Sequence, residues 1–231
     1  MAFWKKTISI SAVEKMAATA VSSAGDATTT IYLLNGTGKP PQSSDINRTA
    51  GAPIGVTDDS WPMYESAKMS HLITLDVSQT PNLAKKLSED TKAIAVFVSN
   101  LFDNEAFEPG TKESRVIEIS KQDIAHGVGE WEPDEDDQEF SKPQSFTCHE
   151  LEVPEDLFSD NLCERSQKDP LVILLNAISH YGMAGGSPIW IQSPEHNGQF
   201  ILQFSESLVT TNLGDGGEMY VFSDTAFWQC H

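Results

Sequence analysis

Apolar and polar positions along this chain follow two periods, and the switches between them divide it into elements. Val13, Met16, Ala17, Ala20, Val21 and Ala24 recur at the spacing of one helix face. Ser11 followed by Glu14 forms a capping box that predicts the helix start, and Gly25 supplies its stop. "TTTIYLLNG" predicts a β-strand ending at Asn35-Gly36, and the Gly-, Pro-, Ser- and Asp-rich residues 36 to 60 predict mostly loop. "SHLITLDVS" and "AIAVFVSN" read as strands separated by a short helix with Pro81 at its first position and Leu83 and Leu87 facing inward. "SRVIEIS" alternates as a further strand. "DPLVILLNAISHYG" predicts a helix stopped by Gly182, although "LVILL" alone also suits a buried strand. "PIWIQS", "QFILQFS" and "EMYVFSD" complete the set of expected strands, giving an α+β, sheet-rich balance.

The order of signals repeats. "AGAP" at 50–53, "HLITLDVS" at 71–78 and "AIAVFVSN" at 93–100 are followed later by "GGSP" at 185–188, "FILQFSES" at 200–207 and "EMYVFSD" at 218–224. A small-residue turn before Pro, an apolar strand with a polar end, and a strand ending in Val-Phe recur in the same sequence, which predicts an internal duplication.

Composition adds limits. Across 231 residues, 39% hydrophobic and 9% aromatic content suits a folded domain and not a disordered chain. No run reaches the roughly 18 apolar residues of a membrane span. The opening "MAFWKKTISISAVEKMAATA" imitates a signal peptide, but Glu14 and Lys15 interrupt its apolar stretch, so a cytoplasmic protein is expected. Cys148, Cys163 and Cys230 are three in number with no CxxC spacing, which suits a reducing compartment and offers neither a disulfide framework nor a zinc site. The net charge of −19 excludes nucleic acid and anionic membranes as natural partners and favours basic ones. It equally suits a surface kept soluble by charge alone.

Catalytic motifs are not assembled. "NGTGKP" at 35–40 has Leu33 where a phosphate loop needs its first Gly, and Pro40 in place of Ser or Thr. "YGMAGG" has the wrong glycine spacing for a dinucleotide site. Cys148-His149-Glu150 would sit on a strand, where neighbours point to opposite faces. Cys163 reads as a small core hydrophobe. His71, His126, His180 and His196 are scattered and read as satisfied or surface residues, and Cys230 with His231 lacks a third metal ligand. In "LGDGGEMYVF" a β-rich run follows the glycines, where a phosphate loop needs a helix, and Asp215 is alone among them. The segment therefore reads as a turn between two strands, with glycines supplying positive φ. No cofactor and no metal site are expected.

The stretches "GGSPIWIQ", "GQFILQFSESL", "LGDGGEMYVF" and "FWQCH" resemble the second half of the YwqG-like bacterial family, whose function is unknown. The resemblance rests on Gly185, Gly186, Pro188, Trp190, Gln192, Gln203, Gly214, Asp215, Gly217, Tyr220, Phe222, Trp228 and Cys230. In the first half Gly51, Pro53, Trp61 and Pro62 fit its opening unit, with Ala50 in place of the usual Gly and no Gln ending "LITLDVS". The resemblance implies an internally duplicated, largely antiparallel α+β domain over 48–231, with half-repeats at about 48–125 and 170–231 and a few peripheral helices. Residues 1–47 would add a helix and strand packed on it. Such proteins often lie beside polymorphic-toxin genes, which suggests an immunity protein that binds a cognate toxin.

The remaining signal is "GVGEWEPDEDDQEFSKP", an acidic linker loop at 127–143. Glu130, Glu132, Asp134, Glu135, Asp136, Asp137 and Glu139 surround Trp131, too many like charges for a core. It is either a solvated loop without a partner or a contact for a basic surface, with Trp131 and Phe140 as desolvated anchors. "FDNEAFEPGTKE" at 102–113 is a second such loop, bearing Phe102, Asp103, Glu105, Phe107 and Glu108. The sequence thus favours a non-enzymatic acidic binder of a basic toxin protein, one to one. The alternative is a small-ligand or enzymatic site with Trp190, Gln192, Gln203 and Asp215 converging.

Overall fold

A computed structural model describes residues 8–24, 27–130, 132, 138, 142–159, 162 and 165–230. The first helix, α1 (Ile10–Ala24), starts earlier than the capping box at Ser11 and Glu14 implied. Ser9 accepts the Ala12 N–H instead, through Oγ at 3.3 Å and through its carbonyl at 2.9 Å. The apolar Ile10 thereby joins the helix and packs with buried Val13, Ala17 and Ala20. The proposed stop at Gly25 lies outside the described residues. α2 (Pro81–Ala84) is the expected short helix, with Leu83 buried. In α3 (Pro170–Ile178), Asp169 Oδ1 accepts the Leu171 N–H at 2.8 Å and Pro170 sits in the first turn, so the helix reading of "LVILL" holds. The helix ends at Ile178 and Gly182 begins a strand. A side chain there would meet Leu208 Cδ2 at 2.7 Å and Leu34 at 3.2 Å, so glycine serves close packing and not helix termination.

The strands are β1 (Thr28–Gly36), β2 (Arg48–Thr49), β3 (Met63–Tyr64), β4 (Ala67–Lys68), β5 (Ser70–Asp76), β6 (Thr91–Val98), β7 (Ser114–Ser120), β8 (Gln144–Pro154), β9 (Gly182–Ala184), β10 (Phe200–Ser205), β11 (Glu218–Phe222) and β12 (Ala226–Gln229). Ten of them form one antiparallel sheet in the order β12-β11-β10-β9-β1-β8-β2-β5-β6-β7, while β3 and β4 make a separate hairpin. The sheet curls until its edges meet: Ser114 Oγ on β7 donates to the Ala226 carbonyl on β12. A nearly closed barrel results. One apolar cluster fills its interior with Tyr32, Leu75, Val96, Phe146, Phe204 and Val221 from successive strands. "PIWIQS" is not a strand; its backbone runs along the outer face of the sheet and bonds to side chains.

The centre of the sheet is an exchange. β1 and β8 pair along their whole length, Thr28 opposite Pro154 and Gly36 opposite Phe146. β2, which follows β1, pairs with β8, whereas β9, which follows β8, pairs with β1. Beyond them lie two meanders with the same local geometry. Ala50 and Gly51 have φ of 51° and 65°, and Gly185 and Gly186 have 74° and 70°. Ala50 N–H donates to Leu72 and Gly185 N–H to Ile201, each at 2.9 Å. Pairing shifts register between His71 and Ile73 in one meander and between Phe200 and Leu202 in the other. After the shift Ile73 faces Val96 and Leu202 faces Val221.

Each meander's outer face needs a cover. On the first, Val56 and Trp61 from the segment after the Ala50-Gly51 turn pack on Ala93, Ala95 and Phe97. On the second, Ile189 and Trp190 pack on Tyr220, Phe222 and Phe227, and the same cluster extends across the central strands to α1 and α3.

Candidate functional site

The loop 99–113 joins β6 to β7 and carries the first three predicted contact residues, Phe102, Asp103 and Glu105. Asn100 Oδ1 accepts the N–H groups of Phe102 and Asp103, both at 2.8 Å, which fixes the turn. The loop is then tied to the far edge of the barrel. Thr211 Oγ1 donates to the Leu101 carbonyl at 2.6 Å, Asn212 Nδ2 to that of Phe102 at 3.0 Å, and Trp228 Nε1 to Asn104 Oδ1 at 2.8 Å. With Leu101 and Ala106 buried as plugs, the loop is held at both flanks. What it presents is apolar and acidic together: Phe102 is 49% and Phe107 47% exposed, beside exposed Asp103, Glu105 and Glu108. Phe107 packs edge-on against Trp228, with ring centres 5.9 Å apart.

The second acidic stretch leaves the opposite end of β7, and its start is stitched down. Gly129 N–H donates to Val56 at 2.7 Å, Glu130 N–H to Asp58 Oδ1 at 3.0 Å, and Lys68 Nζ to both Asp58 Oδ1 and the Glu130 carbonyl. The Lys68 ammonium, and then the Glu130 N–H, hold the Asp58 carboxyl below its usual range. Glu132 is exposed. Trp131, Asp134, Glu135, Asp136, Asp137, Glu139 and Phe140 lie outside the described residues. The β3–β4 hairpin stands between the two acidic regions. Lys68 reaches Glu130 from it, and Tyr64, hydrogen-bonded to Glu113 and repelled by the charge of Glu105, has its phenol pushed up to about 12.

The convergence expected of Trp190, Gln192, Gln203 and Asp215 is only partly present. Gln203 Oε1 accepts the Ile189 N–H at 2.7 Å, Tyr220 Oη accepts that of Ile191 at 2.9 Å, and Gln229 Oε1 accepts that of Gln192 at 3.2 Å. Buried side chains of three strands thus satisfy an extended backbone that has no neighbouring strand. Trp190 stacks on Tyr220, ring centres 4.7 Å apart at 27°. Asp215 does not join them: it is exposed in the connection 206–217, a turn between β10 and β11 in which Gly214 and Gly216 take φ of 78° and 66°. Gly217 keeps an ordinary φ, and its lack of a side chain has another cause. A Cβ there would lie 1.8 Å from the Leu213 carbonyl oxygen.

Between this covering segment, α3 and the turn at Glu155–Phe158 lies a cavity of about 490 Å³. Beneath the segment sits Glu218, which the sequence reading passed over. Burial pushes its carboxyl up to about 7, opposed by a hydrogen bond from Gln203 Nε2 at 2.9 Å. The available signal was glutamine inside apolar strands, Gln203 in "FILQFS" and Gln229 in "AFWQ", where a buried amide must be paired.

The remaining chemistry is dispersed. Cys148 packs toward the barrel interior while His149 bonds Thr147 on the other face. Burial pushes the Cys148 thiol up to about 12, away from a thiolate. His71 is fully buried and paired, with Nδ1 3.1 Å and 3.0 Å from the Ala50 and Gly51 carbonyls and Nε2 2.7 Å from Thr74 Oγ1. Cys163 and His231 lie outside the described residues. Among the described residues no cluster of three metal-ligating side chains occurs, and no helix is long and apolar enough to cross a membrane. No known family model matches the chain, and no curated protein matches it.

Proposed function

We propose that this is a non-enzymatic acidic binding protein that recognises a basic partner protein, most simply as an immunity protein that occludes a bacterial toxin in the cytoplasm. The observation that carries the reading is the pinned loop 99–113. Half-exposed Phe102 and Phe107 stand among Asp103, Glu105 and Glu108, on a backbone already immobilised by Asn100, Thr211, Asn212 and Trp228. A rigid aromatic anchor ringed by charge loses little entropy on binding, and its carboxylates steer a basic surface toward it. The stretch from Glu130 and Glu132 through Asp137, with Trp131, extends the acidic surface in sequence. The repeated turn, bulge and strand register support an internally duplicated scaffold, and the sequence resemblance alone suggests that it is YwqG-like.

The test is co-expression with the product of the adjacent gene. Protection of the cells and a one-to-one complex are expected. Phe102→Ala should raise the off-rate at a cost of about 2 kcal/mol. Reversing Asp103, Glu105 and Glu108 to Lys should instead lower the on-rate and its dependence on salt. A complex that ignores both variants sinks this surface, and no complex with any neighbouring gene product sinks the immunity role.

A further inference from the structure

The cavity beside Trp190 is unlike the rest of the molecule. Charged residues are 21% of the chain, yet none of the described residues lining this cavity is charged. Its walls are apolar, with Phe158 and Val172 facing the covering segment that carries Trp190. Gln167 and Asn176 supply amides that each offer a donor and an acceptor, and Gln192, whose Nε2 donates to the Cys230 carbonyl, adds its Oε1 as an acceptor. Trp190 is fixed from behind by Tyr220, Phe222 and Phe227, with ring centres 4.7, 6.1 and 6.2 Å away, so its orientation is set before any ligand arrives. Among the described residues no acceptor takes its indole N–H. The clamps from Gln203, Tyr220 and Gln229 use up the backbone N–H groups of Ile189, Ile191 and Gln192, and Gln192 Nε2 donates to the Cys230 carbonyl at 2.6 Å, so Trp190 is the side chain of the segment best placed for recognition.

We infer that this cavity binds an uncharged heteroaromatic molecule of nucleoside size. The volume, about 490 Å³, falls within the roughly 300–1,000 Å³ of small-molecule sites. A prefixed indole offers a stacking surface to a π-system, and paired donors and acceptors on amide side chains match the edge of a heterocycle that carries both. A charged ligand is disfavoured twice, by the absence of a counter-charge among the described lining residues and, for an anion, by the net charge of −19. This site is separate from the acidic-aromatic loop, and neither depends on the other.

Calorimetric titration with adenosine, guanosine and uridine, and with adenosine monophosphate as the charged control, tests the inference. At least one nucleoside should bind saturably, with tenfold or greater loss in Trp190→Ala. Asn176 is exposed on α3 at the cavity, so Asn176→Trp should keep the fold while blocking the space, and should abolish binding with an unchanged circular dichroism spectrum. The monophosphate should bind at least tenfold more weakly than adenosine. Absence of saturable binding by all three nucleosides overturns the proposal, as does undiminished binding in Asn176→Trp or equal affinity for the monophosphate.

Discussion

The two meanders share a backbone and differ in how each holds its cover. On the first, Trp61 plugs the outer face against Phe97, ring centres 5.6 Å apart, and its Nε1 donates to the Met69 carbonyl at 2.8 Å. The sheet beneath gives the covering segment apolar contact, and the polar work is done by His71 gripping the turn. On the second, Gln203, Tyr220 and Gln229 rise out of the sheet to satisfy the cover directly. A register that tolerates either solution leaves the outer layer free to diverge, one side closing over a plug and the other over a cavity.

The largest expected effect breaks the likeness at the start of β11. By register, Gly217 corresponds to Lys92, whose ammonium pairs with Asp76 at 2.7 Å. The second meander has no room for any side chain there. Gly217→Ala should lose more than about 4 kcal/mol or fail to fold, as read by soluble yield and urea denaturation, because a main-chain atom must move. Lys92→Ala should cost less than about 1 kcal/mol.

Next in size is a pair of opposite pH dependences. Folded Glu218 keeps its proton up to about pH 7, whereas an unfolded carboxyl releases it near 4.5. The folded state binds more protons in that window, so this group's contribution falls as pH rises from 4.5 to 7 and stays lost above. His71 has the reverse sign. Burial lowers it to about 4 from 6.5, so its contribution is present above 6.5 and is lost as pH falls toward 4. Glu218→Gln should raise stability at pH 8 by roughly 1–3 kcal/mol and remove the first slope, leaving the histidine's. Urea titrations of both proteins from pH 5 to 8 read this out, and identical slopes would refute the buried-acid account.

The smallest effect sharpens the comparison by exchanging the turns. Ala50 takes φ of 51° where Gly185 takes 74°. Ala50→Gly should stabilise by about 0.5–1 kcal/mol and Gly185→Ala should destabilise by about 1 kcal/mol, both measurable as shifts in melting temperature.

These elements also show what a sequence reveals. Strands whose apolar faces are buried along their whole length, such as β5, β6, β10 and β11, are legible from "LITL", "AVFV", "FILQF" and "MYVF". β8 is the longest strand among the described residues, and the sequence places only Cys148-His149-Glu150 of it on a strand. Phe146 and Cys148 point into the barrel, while Leu151 and Val153 point outward under α1 and α3, so its alternation changes phase midway. "PIWIQS" misleads in the opposite way, since an extended cover lying on a sheet needs the same alternation as a strand within one. The aromatic and acidic character of loop 99–113 was readable, but its anchoring through Asn212 and Trp228 joins residues more than a hundred positions apart. Glu218 carries no sign of its burial in the sequence, because its partner Gln203 lies on the neighbouring strand β10.

The exchange of β1 and β8 across the centre has a consequence for synthesis. β1 leaves the ribosome before both its neighbours, β8 from residue 144 and β9 from residue 182. At roughly 5–20 residues per second, "TTTIYLLNG" waits on the order of 5–20 s with both edges open. The first meander can assemble during that interval, but the strand that will lie at the middle of the finished barrel cannot. The chain therefore carries this apolar strand as an unpaired edge until β8 has been made, which is the period in which a chaperone or a pairing error has access to it.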